Sequence, residues 1–105
     1  MIGPEFKPAF DGLRVIDLTQ GLAGPYCAML MAQNGADVVK VEPPEGDWSR
    51  RLGVAAGPDC SAAYVASNRG KRAIVADLKS PGGIKVVRAL TRDADVFMES
   101  NRAGV

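Results

Sequence analysis

Two glycines that follow an apolar run are the first residues in this chain whose spacing could form a ligand-binding site. The run ends at Leu18, and Gly21 and Gly24 come next, before Pro25. This order is typical of a strand, a tight turn and a helix start, with Pro25 at the first helical position. Backbone N–H groups at such a helix start can bind phosphate. Because the G-x-G-x-x-G fingerprint is absent, a plain strand–helix connection is the alternative.

Charged residues supply further candidates for phosphate or ribose binding. Lys79 precedes a predicted helix start, where a cation and backbone amides can hold a phosphate; the alternative is a solvated surface lysine. Arg50-Arg51 and the basic stretch 69–72 could also contact phosphates, but isolated basic pairs are usually solvated. Glu42 follows the glycine turn by about 20 residues, the spacing of the ribose-binding acid in NAD folds. Without the fingerprint, we interpret Glu42 as structural.

Other reactive side chains give no catalytic prediction. Asp17 and Asp77 lie at predicted strand ends. A catalytic carboxylate usually works with a second titratable group whose pKa differs from its own, and the sequence shows no such group for either residue, so structural roles are favoured. Cys27 lies in an apolar helix and is predicted to be a buried, inert thiol. The chain has no histidine, which excludes His-based catalysis and most zinc sites. No catalytic residue and no metal ligand are predicted.

Length and composition indicate one ordinary globular domain. The chain has 105 residues, 47% of them hydrophobic and 24% charged, with a net charge of +1. So small a charge argues against nucleic-acid binding. No membrane span or signal peptide is recognisable, so we expect a cytoplasmic protein without a membrane partner. Cys27 and Cys60 are expected to be free thiols in that compartment.

Alternating strands and helices predict an α/β fold with a mostly parallel sheet of about four strands flanked by helices. Residues 1–12 are interpreted as an N-terminal tail, in which Gly3-Pro4-Glu5-Phe6 is typical of a cloning remnant. The folded segment is then 13–105. The predicted strands are 13–18, 37–42, 72–77 and 95–98; the predicted helices are 26–32, 62–67 and one opened by Ser80-Pro81; the stretch 45–61 is predicted to be a long loop.

Two helices carry informative faces. The first is apolar nearly all round, which predicts burial on more than one side, against the sheet and either another subunit or another part of the protein. In the helix after Ser80, the basic residues at i, i+3 and i+7 form one solvated face: Lys85, Arg88 and Arg92. Its predicted buried side consists of Val86, Val87 and Leu90.

Four ordered motifs resemble a known family. They are 13–19 with Ala23-Gly24-Pro25, then 35–42, then 68–72 with 77–81, and finally 94–96 with Glu99. Together they resemble the N-terminal segment of the class III CoA-transferases, the CaiB/BaiF family that includes formyl-CoA transferase and α-methylacyl-CoA racemase.

The resemblance implies a Rossmann-like domain that binds CoA or acyl-CoA along the carboxyl ends of its strands. By position, one group of CoA-binding residues lies in the glycine turn and two more follow later strands: Gly21, Leu22 and Ala23; Ala76 and Lys79; Ser100, Asn101 and Arg102.

The resemblance also implies a homodimer and a mechanism that this chain cannot complete. Family transferases pass the acyl group and then CoA through one aspartate. That aspartate lies several dozen residues beyond Val105, so the resemblance implies a truncated chain that is inactive alone.

Two departures from the family pattern concern CoA binding. Pro43 stands where many members carry an arginine near the nucleotide, and residues 99–104 read ESNRAG where the family usually has ENFRPG. Alternatives remain open: a stand-alone nucleotide-binding or partner-binding module, the racemase branch of the family, and, last, an NAD-binding domain.

Overall fold

The computed structural model describes residues 6–105. Its main sheet has four parallel strands in the spatial order β5-β2-β1-β6, which confirms the predicted α/β fold. The elements in chain order are β1 (Arg14–Asp17), α1 (Ala23–Gln33), β2 (Asp37–Glu42), a 3₁₀ helix (Trp48–Arg51), β3 (Ala55–Gly57), β4 (Cys60–Ser61), α2 (Ala62–Asn68), β5 (Arg72–Val75), α3 (Pro81–Thr91) and β6 (Val96–Met98).

The two central strands are apolar on both faces because each face is covered. On one face, Val15 and Val38 pack with Ala28 of α1. On the other, Ile16 and Val39 pack in a cluster that includes Val87 of α3. Strands covered on both sides bury nearly every side chain they carry, including Lys40 and Glu42 of β2.

Helix α1 begins two residues earlier than predicted. Ala23 is its first residue, so Pro25 is the third rather than the first; the first N–H groups of a helix need no partner within it, which makes this position tolerable. The predicted stop is confirmed, with Asn34 as the cap and Gly35 at φ 105°. The prediction that Cys27 is buried was wrong, because this thiol lies on the outer side of the helix.

Within the described part of the chain, residues 6–105, one face of α1 is buried and the other is exposed. Pro25, Ala28 and Met29 are buried, whereas Tyr26 is 51% and Leu30 41% exposed. The expected cover for the second face is not supplied by residues 6–105.

Helix α3 begins as predicted, with Ser80 as N-cap and Pro81 as the first helical residue. The hydroxyl of Ser80 accepts a hydrogen bond from the Gly83 N–H at 3.0 Å. Val87 is buried, but Val86 is 45% exposed, so its placement on the buried side was wrong. Neighbouring helical residues point about 100° apart, and only one of this pair can face the sheet.

The long loop predicted over 45–61 is partly structured. It contains the 3₁₀ helix and the small antiparallel pair β3–β4. Asp47 caps the 3₁₀ helix by accepting a hydrogen bond from the Ser49 N–H. Elements of two to four residues have no detectable hydrophobic period, which is why the sequence did not predict them.

Residues 1–5, which include most of the presumed cloning remnant, lie outside the described residues. The Phe10 N–H donates to the Asn34 carbonyl at 2.8 Å, so the end of the presumed tail contacts the α1–β2 connection. The boundary at residue 13 stays a prediction. Among residues 6–105, no helix combines the length and apolarity that a membrane crossing requires.

Two adjacent glycines in α3 give a matched test of this packing. A Cβ on Gly83 would lie 1.9 Å from the Asp77 carbonyl oxygen, whereas a Cβ on Gly82 would meet nothing within 4 Å. Gly82→Ala should therefore stabilise the protein by up to about 1 kcal/mol, the helix propensity of alanine. Gly83→Ala should destabilise it by about 1–3 kcal/mol because backbone must move. Urea unfolding measures both, and equal stabilisation by the two variants would contradict this packing.

Candidate functional site

The carboxyl ends of β1, β2 and β5 meet at one edge of the sheet and border a cavity of about 650 Å³. Open parallel sheets bind ligands at this edge. The wall combines apolar side chains with a few polar groups; it consists of Leu18, Gln20, Val41, Glu42, Pro43, Pro44, Glu45, Ala76, Asp77, Leu78, Lys79, Asn101, Gly104 and Val105.

The structure brings three of the eight predicted CoA-binding residues together around this cavity: Ala76, Lys79 and Asn101. Asn101 and Arg102 also line an adjoining groove of about 480 Å³, which α3 and the end of β6 border.

The remaining predicted residues stand outside the lining of the cavity. Gly21, Leu22 and Ala23 form the turn and the start of α1, and their neighbour Gln20 lines the wall instead. Ser100 lines neither space.

Lys79 and Asp77 have different roles at the start of α3. Lys79 is exposed beside the cavity. The Asp77 carboxylate accepts a hydrogen bond from the Lys79 N–H at 2.9 Å, and the Asp77 carbonyl accepts from the Ser80 hydroxyl at 3.0 Å. Asp77 therefore shapes the turn, in agreement with the predicted structural role.

A buried ion pair joins β2 to the segment that follows it. Lys40 Nζ lies 2.7 Å from Asp47 Oδ2, with side chains 1% and 0% exposed. Burial alone would raise the pKa of Asp47, but hydrogen bonds from Lys40, Ser49 and the Gly21 N–H outweigh burial and lower this pKa. The Asp47 carboxylate is thus held in its charged form inside the protein.

Glu42 and Arg50 form a second pair beneath the ring of Tyr64. Arg50 Nη2 lies 2.7 Å from Glu42 Oε2, and the guanidinium carbon lies 3.9 Å from the centre of the Tyr64 ring. Burial would raise the pKa of Glu42, but the hydrogen bonds from Arg50 and from the Asp47 N–H lower it. Hydrogen bonding to Glu42 raises the pKa of Arg50. Burial is the largest cause that raises the pKa of Tyr64 to about 12, and the negative charge of Glu42 is the next.

These contacts decide two open interpretations. Glu42 is structural, as predicted, because its carboxylate is occupied by Arg50 and Tyr64. The interpretation of Arg50 as a solvated surface charge was wrong, because its guanidinium group is hydrogen-bonded to the Glu42 carboxylate.

A third pair links distant parts of the chain. Lys71 Nζ lies 2.8 Å from Asp17 Oδ2, and both side chains are almost fully buried. The other Asp17 oxygen accepts hydrogen bonds from the N–H and hydroxyl of Thr19. Burial lowers the pKa of Lys71, against the opposing effect of Asp17. Asp17 is structural, as predicted, but Lys71 is not the solvated residue that its basic neighbours suggested.

One sequence signal could have revealed part of this network. In the run Val38-Val39-Lys40-Val41-Glu42, charges alternate with valines in a strand expected to be buried on both faces. A charge in such a place requires a partner. The partners of Lys40 and Glu42 lie seven and eight positions further along the chain, in a segment predicted to be a loop. The third pair, Asp17 with Lys71, spans 54 positions, and no local pattern links the two residues.

Among residues 6–105, no group of three or more histidine, cysteine, aspartate or glutamate side chains is arranged to hold a metal ion. Both cysteines are free, as predicted.

Comparison with known proteins identifies the family. The model of "CoA-transferase family III" matches residues 10–105. The chain belongs to this family. The finding confirms the resemblance carried by the four sequence motifs.

Relatives and solved structures of CoA-transferase family III agree with this assignment. The chain is 52% identical to a succinate–glutarate CoA-transferase of Agrobacterium fabrum over 92% of its own length. It is 46% identical to a succinyl-CoA:mesaconate CoA-transferase of Haloarcula hispanica over 91%. Its fold matches a CaiB/BaiF family protein from Brucella suis with a TM-score of 0.84 and 42% identity over 94% of the chain.

The chain spans about a quarter of the length of these relatives. It covers 26% of the Agrobacterium protein, 25% of the Haloarcula protein and 27% of the Brucella chain. The described fold is therefore comparable with one portion of each relative.

The pKa of Glu42 predicts how stability depends on pH. This pKa is below its ordinary value of 4.5, so the stabilisation is complete above that value and is lost as the pH falls through the lower, folded pKa. Glu42→Gln should lower the free energy of unfolding by about 2–4 kcal/mol near pH 7 because it leaves Arg50 without its buried partner. The stability of this variant should also change less than that of the unmodified protein between about pH 5 and pH 3.

Urea unfolding over that pH range measures the effect, and Glu45→Gln, at an exposed carboxylate, serves as the control. Parallel pH profiles for the unmodified protein and Glu42→Gln would refute the role given to the pair.

Proposed function

We propose that this chain is the N-terminal CoA-binding part of a class III CoA-transferase, and that the cavity at the carboxyl edge receives the nucleotide end of CoA. One observation carries the proposal: in a member of CoA-transferase family III, the main cavity described lies where β1, β2 and β5 end, with Lys79 at its rim. Carboxyl edges of this kind bind nucleotides in other open parallel sheets.

The wall of the cavity suits the parts of this ligand. Pro43, Pro44 and Leu78 offer apolar surface for a planar base, and Lys79 offers an ammonium group for a phosphate. Three acidic residues share the wall. Glu42 is neutralised by Arg50, the Asp77 carboxylate accepts from its own backbone turn, and Glu45 is exposed to solvent.

Because Pro43 cannot bind phosphate, other residues must supply the phosphate contacts. Many family members place an arginine here, and proline supplies neither charge nor N–H. We therefore assign the phosphate contacts to Lys79, with Arg102 in the adjoining groove as the second cation.

Three carboxylates at or near the strand ends are engaged in structural contacts. Asp17, Glu42 and Asp47 are held in ion pairs. None of these three is free to form the acyl intermediate that the resemblance implies, and we propose that this chain alone has no transferase activity. For the whole protein, the names of the Agrobacterium and Haloarcula relatives favour acyl groups derived from dicarboxylic acids.

A second candidate is a partner-binding module, which the outer face of α1 favours. Leu22, Tyr26 and Leu30 are spaced by four residues and are each more than 40% exposed, an unusual apolar stripe for a monomer. A homodimer that covers this face is compatible with both candidates. Sedimentation as a monomer at all concentrations would exclude a second copy of this chain as the partner on this face.

Calorimetric titration with coenzyme A tests the proposal. CoA should bind, and CoA without its 3′-phosphate should bind more weakly. Lys79→Ala should weaken CoA binding about fivefold, the value of one exposed charge contact near 1 kcal/mol. Lys85→Ala removes a lysine from the adjacent α3 and should have no effect.

No heat with CoA would refute the nucleotide site. Binding of NAD in its place would show that the cavity belongs to a different class of cofactor.

A further inference from the structure

The segment after β2 fixes the turn that follows β1. The Gly21 N–H donates to Asp47 Oδ1 at 3.0 Å, and Lys40 Nζ donates to the Thr19 carbonyl at 3.1 Å. Thr19 and Gly21 flank Gln20, which lines the cavity. The Lys40–Asp47 pair therefore holds the backbone on both sides of a cavity residue.

Trp48 adds two contacts to the same turn. Its N–H donates to Gln20 Oε1 at 3.3 Å. Because a backbone N–H can only donate, the oxygen of this amide faces Trp48 and the NH₂ group faces elsewhere. The indole ring packs directly over Gly21, where an added Cβ would lie 2.3 Å from the ring carbon Cζ2.

We propose that Asp47 is a positioning residue for CoA binding, acting through the turn 19–21 together with Lys40 and Trp48. Neither Asp47 nor Trp48 lines the cavity. The Asp47 side chain acts on the turn through Gly21, and its backbone N–H, which donates to the cavity residue Glu42, is retained in side-chain variants. This inference rests on the proposed function of the cavity.

The ion pair and the hydrogen bond to Gly21 can be separated chemically. Replacing a buried ion pair by uncharged residues of similar size is often tolerated. The Gly21 N–H, in contrast, needs an acceptor in that position to keep the observed turn. A pair of variants that both lack the charges, and differ in this acceptor, tests the positioning role. Because the same oxygen also accepts from the Ser49 N–H and hydroxyl, exchange of the Gly21 amide hydrogen is needed to show that the turn itself has changed.

The amide variant carries Lys40→Met with Asp47→Asn and retains a side-chain acceptor. The leucine variant carries Lys40→Met with Asp47→Leu and has none. Val38→Ala serves as a control for destabilisation, because Val38 is buried on the α1 face of the sheet, away from the cavity. CoA affinity is measured by calorimetry where circular dichroism shows each variant folded. Exchange of the Gly21 amide hydrogen is followed by NMR.

We expect the leucine variant to bind CoA about tenfold more weakly than the amide variant, because the Gly21 N–H has lost its acceptor. The Gly21 amide should exchange faster in the leucine variant alone. The Val38→Ala control should bind CoA like the unmodified protein despite its lower stability. Equal affinities of the amide and leucine variants would overturn the positioning role.

Trp48→Ala covers the case in which the leucine variant does not fold. The Trp48 residue is 53% exposed, so truncation should leave the fold intact. It should still weaken CoA binding about threefold or more, because the indole ring no longer packs over Gly21; the Trp48 N–H that donates to Gln20 is retained. If the leucine variant does not fold and Trp48→Ala binds CoA normally, the inference is wrong. If the unmodified protein binds no CoA, the proposed function fails, and the inference fails with it.

Discussion

The buried contact between Lys40 and Asp47 is the constraint on which the carboxyl edge of this protein depends. Strand β2 is covered on both faces, so the ammonium group of Lys40 has no route to water and must find a carboxylate inside. Asp47 meets it at 2.7 Å only because the chain turns back immediately after Pro43-Pro44. The turn after β1 is then held by the same two side chains.

The two other pairs extend the same principle to the neighbouring strands. Asp17 at the end of β1 is neutralised by Lys71, which precedes β5. Glu42 at the end of β2 is neutralised by Arg50. Each strand end that carries a carboxylate is thus tied to a connecting segment, and the cavity is bordered by backbone that these ties hold in place. The backbone at this edge is thus held by ion pairs as well as by the apolar clusters that pack on the sheet.

The strands and helices could be predicted from the sequence, whereas most partners in the ion pairs could not, and the difference has a physical reason. Runs such as residues 37–42 are strands because their apolar character and flanking turns are local properties, and the limits of β2 were predicted correctly. The partners of Asp17 and Glu42 depend on which connecting segments fold over the strand ends, which no local pattern records. The same limit explains Cys27 and Val86, whose exposure depends on the direction in which a helix faces. Of the predicted site, Ala76, Lys79 and Asn101 converge on the cavity, whereas the glycine turn contributes through Gln20.

The most direct test of the account is a set of two-dimensional amide NMR spectra of the isotope-labelled chain, recorded as coenzyme A is added. The account predicts that signals of Gln20, Gly21, Ala76 and Lys79 shift together with a single affinity, while those of the outer face of α3, such as Arg88, stay unchanged. Shifts confined to α3 or to the exposed side of α1, or no shifts at all, would contradict the assignment of the carboxyl edge as the nucleotide site.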